Sequence, residues 1–191
     1  MDATITPRFL SDTGIMAMGE YRYLFPRSSG EIDFEYLPSD SNREDNHRNL
    51  FHITHQQSFS DAGNFFFTYN RVSDKFYFED FGSQLSNTST RFLQRRAEVS
   101  YSGDKWDVTT RIQDYQTVDR SIAAKSRPYK RLPQILFNYN SPREYRQLNF
   151  GLKTDFAYFE RGDNASFSDN VNGARLSIRP FLKYPVRNIA S

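Results

Sequence analysis

Alternation of apolar and polar residues at every second position runs through almost the whole chain. The clearest case is a run in which three carboxylates alternate with three apolar residues: Glu31, Asp33 and Glu35 against Ile32, Phe34 and Tyr36. A period of two is typical of strands, and we find no sustained i, i+3, i+4 apolar pattern of the kind that indicates helices. The sequence therefore predicts an all-β fold, an antiparallel up-and-down meander of about ten strands.

The connections between these strands differ in length at the two ends of the predicted sheet. Short turns lie near Pro26, Asp61, Gly103 and Pro142. They alternate with long loops that begin near Pro38, Ser73, Asp119 and Gly162. Such asymmetry indicates that the two ends of the sheet face different surroundings, and it leaves open which end faces the cell exterior.

Composition excludes several classes of protein. With 25 basic and 23 acidic residues the net charge is +2, which does not favour a nucleic-acid partner. Cysteine is absent, so the chain can hold neither a disulfide nor a thiolate metal site. No apolar run is long enough for a transmembrane helix, and the N-terminus does not resemble a signal peptide. The sequence also contains no G-x-S-x-G elbow, phosphate loop or H-E-x-x-H motif, so we expect no enzyme, no metal and no cofactor.

Strand length and aromatic content indicate whether the apolar face of the sheet contacts lipid or fills the interior of a soluble barrel. Apolar residues make up only 37% of the chain, yet 16% of all residues are aromatic. The longer strands have about 10 residues, enough to cross a bilayer when tilted, and Tyr and Phe recur near strand ends as in interfacial girdles. These features favour a membrane barrel with an apolar exterior and a polar lumen. A soluble lipid-binding β-barrel, with the apolar face inside, and a generic porin-like fragment remain the alternatives.

Five motifs, in order, resemble one family of outer-membrane proteins. They are MDATITPRFLSDTG at 1–14, EYRYL at 20–24, EYLPSD at 35–40, YNRVSDKFYFEDFG at 69–82 and RLPQILFNY at 131–139. Together they resemble the start of the barrel of the lipopolysaccharide-assembly family LptD. The resemblance implies a barrel of about 26 strands in the Gram-negative outer membrane. It further implies lipopolysaccharide and outer-membrane lipid as contacts, LptE as a lipoprotein plug, and a periplasmic Lpt bridge reached through an N-terminal domain.

The same resemblance implies that residues 1–191 form one partial transmembrane β-barrel domain. The family's signal peptide, periplasmic jelly-roll, first barrel strand and most later strands have no counterpart in this sequence. We therefore expect a fragment of the barrel.

Pro7 is the residue to which the resemblance assigns a mechanism. Proline cannot donate a ladder hydrogen bond, so it weakens strand pairing locally. In the family, prolines of the first two strands loosen the barrel seam into a lateral gate, and Pro7 matches the proline of the second strand. The alternative is that Pro7 simply marks an edge strand.

Two groups of charged residues are expected to face the lumen. Glu31, Asp33 and Glu35 form a column on one strand, which favours a hydrated wall over a metal or acid–base cluster. Arg175, Arg179 and Lys183 form a second column, which either lines the lumen against the acidic residues or attracts lipopolysaccharide phosphates. The aromatic and acidic loop at 74–81 is predicted to fold back and plug the lumen rather than to contact substrate.

Overall fold

The computed structural model describes residues 1–43, 47–82, 90–141, 148–161 and 171–184. Within them lie ten strands, one short α-helix, α1 (Tyr77–Phe81), and one turn of 3₁₀ helix (Ala124–Ser126). The strands are β1 (Asp2–Leu10), β2 (Gly14–Phe25), β3 (Ser28–Leu37), β4 (Arg48–Ser58), β5 (Gly63–Val72), β6 (Phe92–Ser102), β7 (Trp106–Thr117), β8 (Lys130–Asn140), β9 (Asn149–Glu160) and β10 (Gly173–Lys183).

All ten strands form one sheet whose spatial order is the order of the chain, from β1 to β10. Every neighbouring pair is antiparallel, and the two outer strands of the described sheet are β1 and β10. The prediction of a ten-stranded antiparallel meander is therefore confirmed. No helix within these ranges is both long and apolar enough to cross a membrane.

Strand register sorts the side chains into two faces. One row of directly opposed residues runs through Glu20, Asp33, His52 and Asn70, and we call the side that carries them the polar face. The next row along the strands contains Ile5, Phe34 and Phe51, and their side chains project from the opposite side of the sheet. We call this side the apolar face. Several large apolar residues of this second face are strongly exposed: Ile5, Phe9, Ile15, Val99, Ile112, Leu176, Ile178 and Leu182.

Strand β8 contains one extra residue relative to both of its neighbours. Arg131 pairs with Gln113 and Gln134 pairs with Arg111, so three steps along β8 match two steps along β7. The same three steps match two steps on β9. This is a β-bulge. Because of it, Arg131 and Gln134 belong to the same face of the sheet although they are three positions apart in the sequence.

The buried core of the described residues is small and lies at the end of the sheet that carries the long loops. It consists of Met16, Leu37, Val72, Tyr77, Phe81, Leu93 and Val118. Met16 and Leu37 extend from strands on the polar face, while Tyr77 and Phe81 come from α1. A segment outside the sheet is therefore needed to bury this part of the polar face.

Candidate functional site: the polar face and its loop cover

The segment after β5 folds into a compact turn because its polar groups satisfy its own backbone. The Asp74 carboxylate accepts a hydrogen bond from the Phe76 amide at 2.8 Å. Helix α1 ends at Gly82, whose amide donates to the Phe78 carbonyl at 3.0 Å. A Cβ atom at position 82 would lie 2.4 Å from that carbonyl oxygen, so only glycine fits this close approach. We call residues 73–82 the loop cover.

Arg48, the first residue of β4, attaches the loop cover to the sheet. Its guanidinium donates two hydrogen bonds of 2.9 Å to Asp74, one of 2.6 Å to Asp80 and one of 3.0 Å to Asp40. The side chains of Arg48 and Asp40 are each only 1% exposed. A fully buried guanidinium needs such partners, because an unpaired charge away from water is very costly.

Aromatic rings of the loop cover surround this guanidinium. The Arg48 guanidinium carbon lies 4.4 Å from the ring centre of Phe81 and 5.5 Å from that of Tyr77, within the range of cation–π contacts. The Tyr77 hydroxyl donates a 2.6 Å hydrogen bond to Glu35, a member of the predicted acidic column. The loop cover therefore packs on the polar face, on the side from which Glu35 projects.

Two groups of the loop cover have shifted pKa values. Burial by itself would raise the pKa of Asp74, but the hydrogen bonds from Arg48, Ser73 and the Phe76 amide outweigh it and hold the pKa below its usual value. Burial, together with the hydrogen bond to Glu35, strongly raises the pKa of the Tyr77 phenol. At neutral pH Asp74 is therefore ionised and Tyr77 is neutral, as their hydrogen bonds require.

Three long loops are joined at the outer side of the loop cover. Arg43, from the loop after β3, makes two hydrogen bonds of 3.0 and 3.1 Å with Asp80. Arg120, from the loop after β7, makes two of 2.9 and 3.0 Å with Glu79. Both guanidiniums lie 4.1 Å from the ring centre of Phe76. The described parts of these three loops therefore form one connected layer.

A cavity of about 510 Å³ lies on the polar face beside the loop cover. Asp33 and Glu35 of the acidic column line it, with His52 opposite Asp33 across the strands. Glu31 lies further along β3, opposite Arg22. Among the described residues no group of three or more potential metal ligands is arranged around a common point.

The basic column lies at the other side of the sheet, on β10. Arg175 donates a 3.2 Å hydrogen bond to Asp155 of β9, which also accepts one from Gln134 at 3.0 Å. Arg179 lies directly opposite Lys153, and Lys183 opposite Asn149. In the part of the chain that the structure describes, no ion pair links this column to the acidic column of β3. The register nevertheless assigns both columns to the polar face.

Pro7 lies in the middle of β1, opposite Ala17, in a ladder that runs without a register shift from Asp2 to Leu10. Strand β1 is an outer strand of the described sheet. Proline is tolerated in such strands because its missing N–H is not required by a neighbour. The position is therefore compatible with both interpretations of Pro7, a gate residue and an ordinary edge residue.

Sequence reasoning did not identify Arg48 or α1. Arg48 follows the long loop that begins near Pro38, and nothing in its spacing marks it as the partner of carboxylates 26 and 32 residues later. The helix has only five residues, too few for a helical period to be visible. The one available signal was the density of aromatic residues in a loop, which indicated packing but not its partner.

An antiparallel meander with apolar residues exposed on one face and charged residues on the other has the wall architecture of outer-membrane β-barrels. The fold places this chain in that class. A family model described as LptD, LPS transport system D, matches residues 46–190. The chain belongs to the LptD family.

Curated relatives agree with this assignment. The chain is 40% identical over 187 residues to the LPS-assembly protein LptD of Nitrosococcus oceani, covering 98% of this chain and 25% of that protein. It is 34% identical to LptD of Acinetobacter baumannii over 195 residues, covering 100% of this chain and 24% of the relative. For LptD of Idiomarina loihiensis the identity is 32%, with 96% and 23% covered. The chain thus spans about a quarter of the length of these relatives.

Proposed function

We propose that this chain forms part of the wall of an outer-membrane barrel that passes lipopolysaccharide to the outer leaflet. In this proposal the apolar face contacts lipid and the polar face, with Glu31, Asp33, Glu35, Arg175, Arg179 and Lys183, lines a hydrated lumen. The chain acts as a transport and assembly component and performs no catalysis. Family membership supports the cargo, and the division of the two faces supports the location.

The observation that carries the proposal is the exposure of the apolar face. Ile5 and Phe9 are each 77% exposed, and Ile178 and Leu182 at the other side of the sheet are 58% and 67% exposed. So many strongly exposed large apolar side chains on one face of a sheet are unusual on a protein in water. They are expected of a barrel wall that faces lipid.

The position of the loop cover disfavours the soluble lipid-binding barrel. In such a barrel the apolar face would be the interior, and a plugging segment would pack against it. Here α1 packs on the opposite face, through Glu35 and Arg48. The generic porin-like barrel is disfavoured by membership of a family described as an LPS transport system.

The same proposal includes the partners that the resemblance implies, LptE as a plug and the periplasmic Lpt bridge. The loop cover occupies the long-loop end of the polar face beside β3 and β4. A plugging partner would therefore contact the part of the polar face that the loop cover leaves open.

The proposal also includes a gating role for Pro7. The change Pro7→Ala is expected to tighten the pairing of β1 at the barrel seam and slow lipopolysaccharide export. Unchanged export would exclude the gate.

Site-specific photo-crosslinking in Gram-negative cells tests the proposal. Adjacent positions provide matched pairs, because Thr6 and Ser177 belong to the polar face while Ile5 and Ile178 belong to the apolar face. A photoreactive residue at Thr6 or Ser177 should capture lipopolysaccharide. At Ile5 or Ile178 it should capture mainly phospholipid. Equal capture of lipopolysaccharide on both faces, or none on the polar face, would refute the proposal.

A further inference from the structure

Three cations on the polar face of β9 and β10 have no anionic partner within the described ranges. Lys153, Arg179 and Lys183 are all exposed and take part in no ion pair there. Other cations of the same face are paired with carboxylates across or along the strands, for example Arg96 and Arg111 with Glu98. Arg8 and Arg131 lack a carboxylate partner in the described part of the chain but donate hydrogen bonds to the Phe81 carbonyl and to Gln113. The three cations on β9 and β10 have neither kind of partner in the described residues.

The arrangement of the three cations carries an electrostatic cost. Lys153 and Arg179 are directly opposed on neighbouring strands, a geometry in which like charges destabilise the pair. The neighbouring carboxylate, Asp155, already accepts hydrogen bonds from Arg175 and Gln134. An external anion placed between the two cations would remove the repulsion.

An aromatic ring lies beside these cations. Phe181 is opposite Gly151, and a Cβ atom at Gly151 would lie only 2.3 Å from the tip of the Phe181 ring. The ring therefore reaches over the glycine backbone on the polar face, into space that a side chain at position 151 would fill. The Lys183 ammonium is 5.2 Å from its centre. An aromatic ring beside cations suits a sugar, whose C–H face stacks on the ring while its charged substituents reach the cations.

Two amide side chains, those of Asn138 and Asn140, lie beside the cations and Phe181. The Asn138 amide donates to Asp107 at 2.7 Å, and Asn140 accepts from Asn149 at 2.9 Å, so both are held in position by their neighbours. Together with Lys153, Arg179, Phe181 and Lys183 they line a cavity of about 470 Å³. This volume lies within the range of small-molecule sites in proteins.

We propose that this cavity binds a phosphorylated saccharide, with Phe181 as the platform for the sugar and Lys153, Arg179 and Lys183 as the phosphate ligands. Arginine offers a planar pair of donors to phosphate and lysine a compact charge, so the set suits a dianionic group. The inference rests on the proposed function and deepens it, because it assigns the sugar-phosphate headgroup of the transported lipid to β9 and β10. The same chemistry would also accept a water-soluble sugar phosphate.

Binding measurements on the protein purified in detergent from outer membranes test this site. The probes are the acyl-free glucosamine disaccharide carrying two phosphates, the same disaccharide without phosphate, inorganic phosphate, and bisphosphorylated lipid A. The variants are Lys153→Gln, Arg179→Gln and Phe181→Leu. The matched control is Arg175→Gln, which removes one positive charge from the same face of the same strand but from a residue paired with Asp155.

We expect the bisphosphorylated disaccharide to bind at low salt and the phosphate-free form to bind at least about tenfold more weakly. Lys153→Gln and Arg179→Gln should each weaken binding of the bisphosphorylated disaccharide about tenfold or more, and Arg175→Gln less than about threefold. Phe181→Leu should weaken binding of the disaccharide while leaving the weak binding of inorganic phosphate unchanged. Comparison of lipid A with the free disaccharide separates the two sources of the ligand: a strong preference for lipid A indicates the membrane glycolipid, and equal binding indicates a soluble sugar phosphate.

Equal losses in Arg175→Gln and Arg179→Gln, or binding that does not depend on phosphate, would overturn the site. Binding of inorganic phosphate as tight as that of the disaccharide would also overturn it, since no saccharide would then be recognised. These failures are distinct from failure of the proposed function. If Thr6 and Ser177 still capture lipopolysaccharide in cells while the variants bind the disaccharide normally, the transport role stands and only this site is refuted.

Discussion

The charged side chains of the polar face are partnered differently around Arg48, on β4, and around Arg179, on β10. Around Arg48 one buried guanidinium is bonded to Asp40, Asp74 and Asp80, and the loop cover excludes water from it. Around Arg179 the cations are exposed, and one of them, Lys153, lies directly opposite Arg179. Charges that are satisfied within the chain hold its parts together, whereas unsatisfied charges remain available to a ligand.

The largest expected loss of stability comes from a change in the buried cluster around Arg48. Arg48→Met leaves Asp40 buried without its cation and detaches the loop cover from the sheet. Removing one partner of a buried ion pair costs about 3–5 kcal/mol. Urea unfolding in detergent measures the loss of free energy of unfolding, and limited proteolysis reports release of residues 73–82.

The matched control is Arg22→Met. Arg22 also contacts two carboxylates, Asp2 and Glu20, but its side chain is 56% exposed. Exposed ion pairs contribute at most about 1 kcal/mol. A loss as large as that of Arg48→Met would contradict the view that burial, rather than the number of partners, makes Arg48 important.

Asp74→Asn tests the same cluster through pH. Because the pKa of Asp74 in the folded protein lies below its usual value of 3.8, ionised Asp74 stabilises the fold at neutral pH, and this contribution is lost as the pH falls through the lowered value. At neutral pH the variant should be less stable by about 1–2 kcal/mol. The difference should stay constant down to pH about 5 and shrink below 3.8. A difference that is the same at pH 7 and at strongly acidic pH would show that the ionised carboxylate is not responsible.

Tyr77→Phe removes a single hydrogen bond between the loop cover and the acidic column. The ring and its packing remain, so the expected loss is about 1 kcal/mol. Protease sensitivity of residues 73–82 should rise less than in Arg48→Met. The double variant with Glu35→Gln should lose little more than the Tyr77→Phe variant, and strict additivity would show that the two groups act independently.

Arg179→Gln gives the smallest effect on stability and has the opposite sign. Removing one of two opposed cations should leave the free energy of unfolding unchanged or raise it by a few tenths of a kcal/mol at low salt. The gain should disappear at high salt because exposed charges are screened. Destabilisation by Arg179→Gln in the absence of ligand would mean that the cations on β9 and β10 have partners within the protein.

The sequence was sufficient to predict the strands because their pattern is local. Alternation at residues 31–36 fixes both a strand and its two faces, and the same holds for the strands that contain Trp106 and Phe150. The number of strands, their antiparallel order and the assignment of Arg175 and Glu35 to strands therefore followed directly. Each of these predictions needed only residues that are close together in the sequence.

The site depended on contacts that no local pattern contains. Arg48 meets its partners only after the chain has formed β5 and turned back, and Lys153 and Arg179 become neighbours only through the register of β9 with β10. The bulge in β8 was missed for the same reason, since one extra residue is visible only against its partner strands. Whether the charged columns line a lumen is still a prediction, as is the gating role of Pro7.

The bulge in β8 also bears on how this wall can change in evolution. Adding or deleting one residue inside a regular strand moves every side chain beyond that point to the opposite face. In β8 the extra residue lies between Arg131 and Gln134, so a single-residue deletion there would make three steps into two and would leave Arg131 on the same face, opposite Gln113 and Phe159. Gln134 and the rest of the strand would keep their orientation. We therefore expect homologues to differ in length at this point of β8 more often than in the middle of β9 or β10, where one residue gained or lost would bring charged side chains to the apolar face.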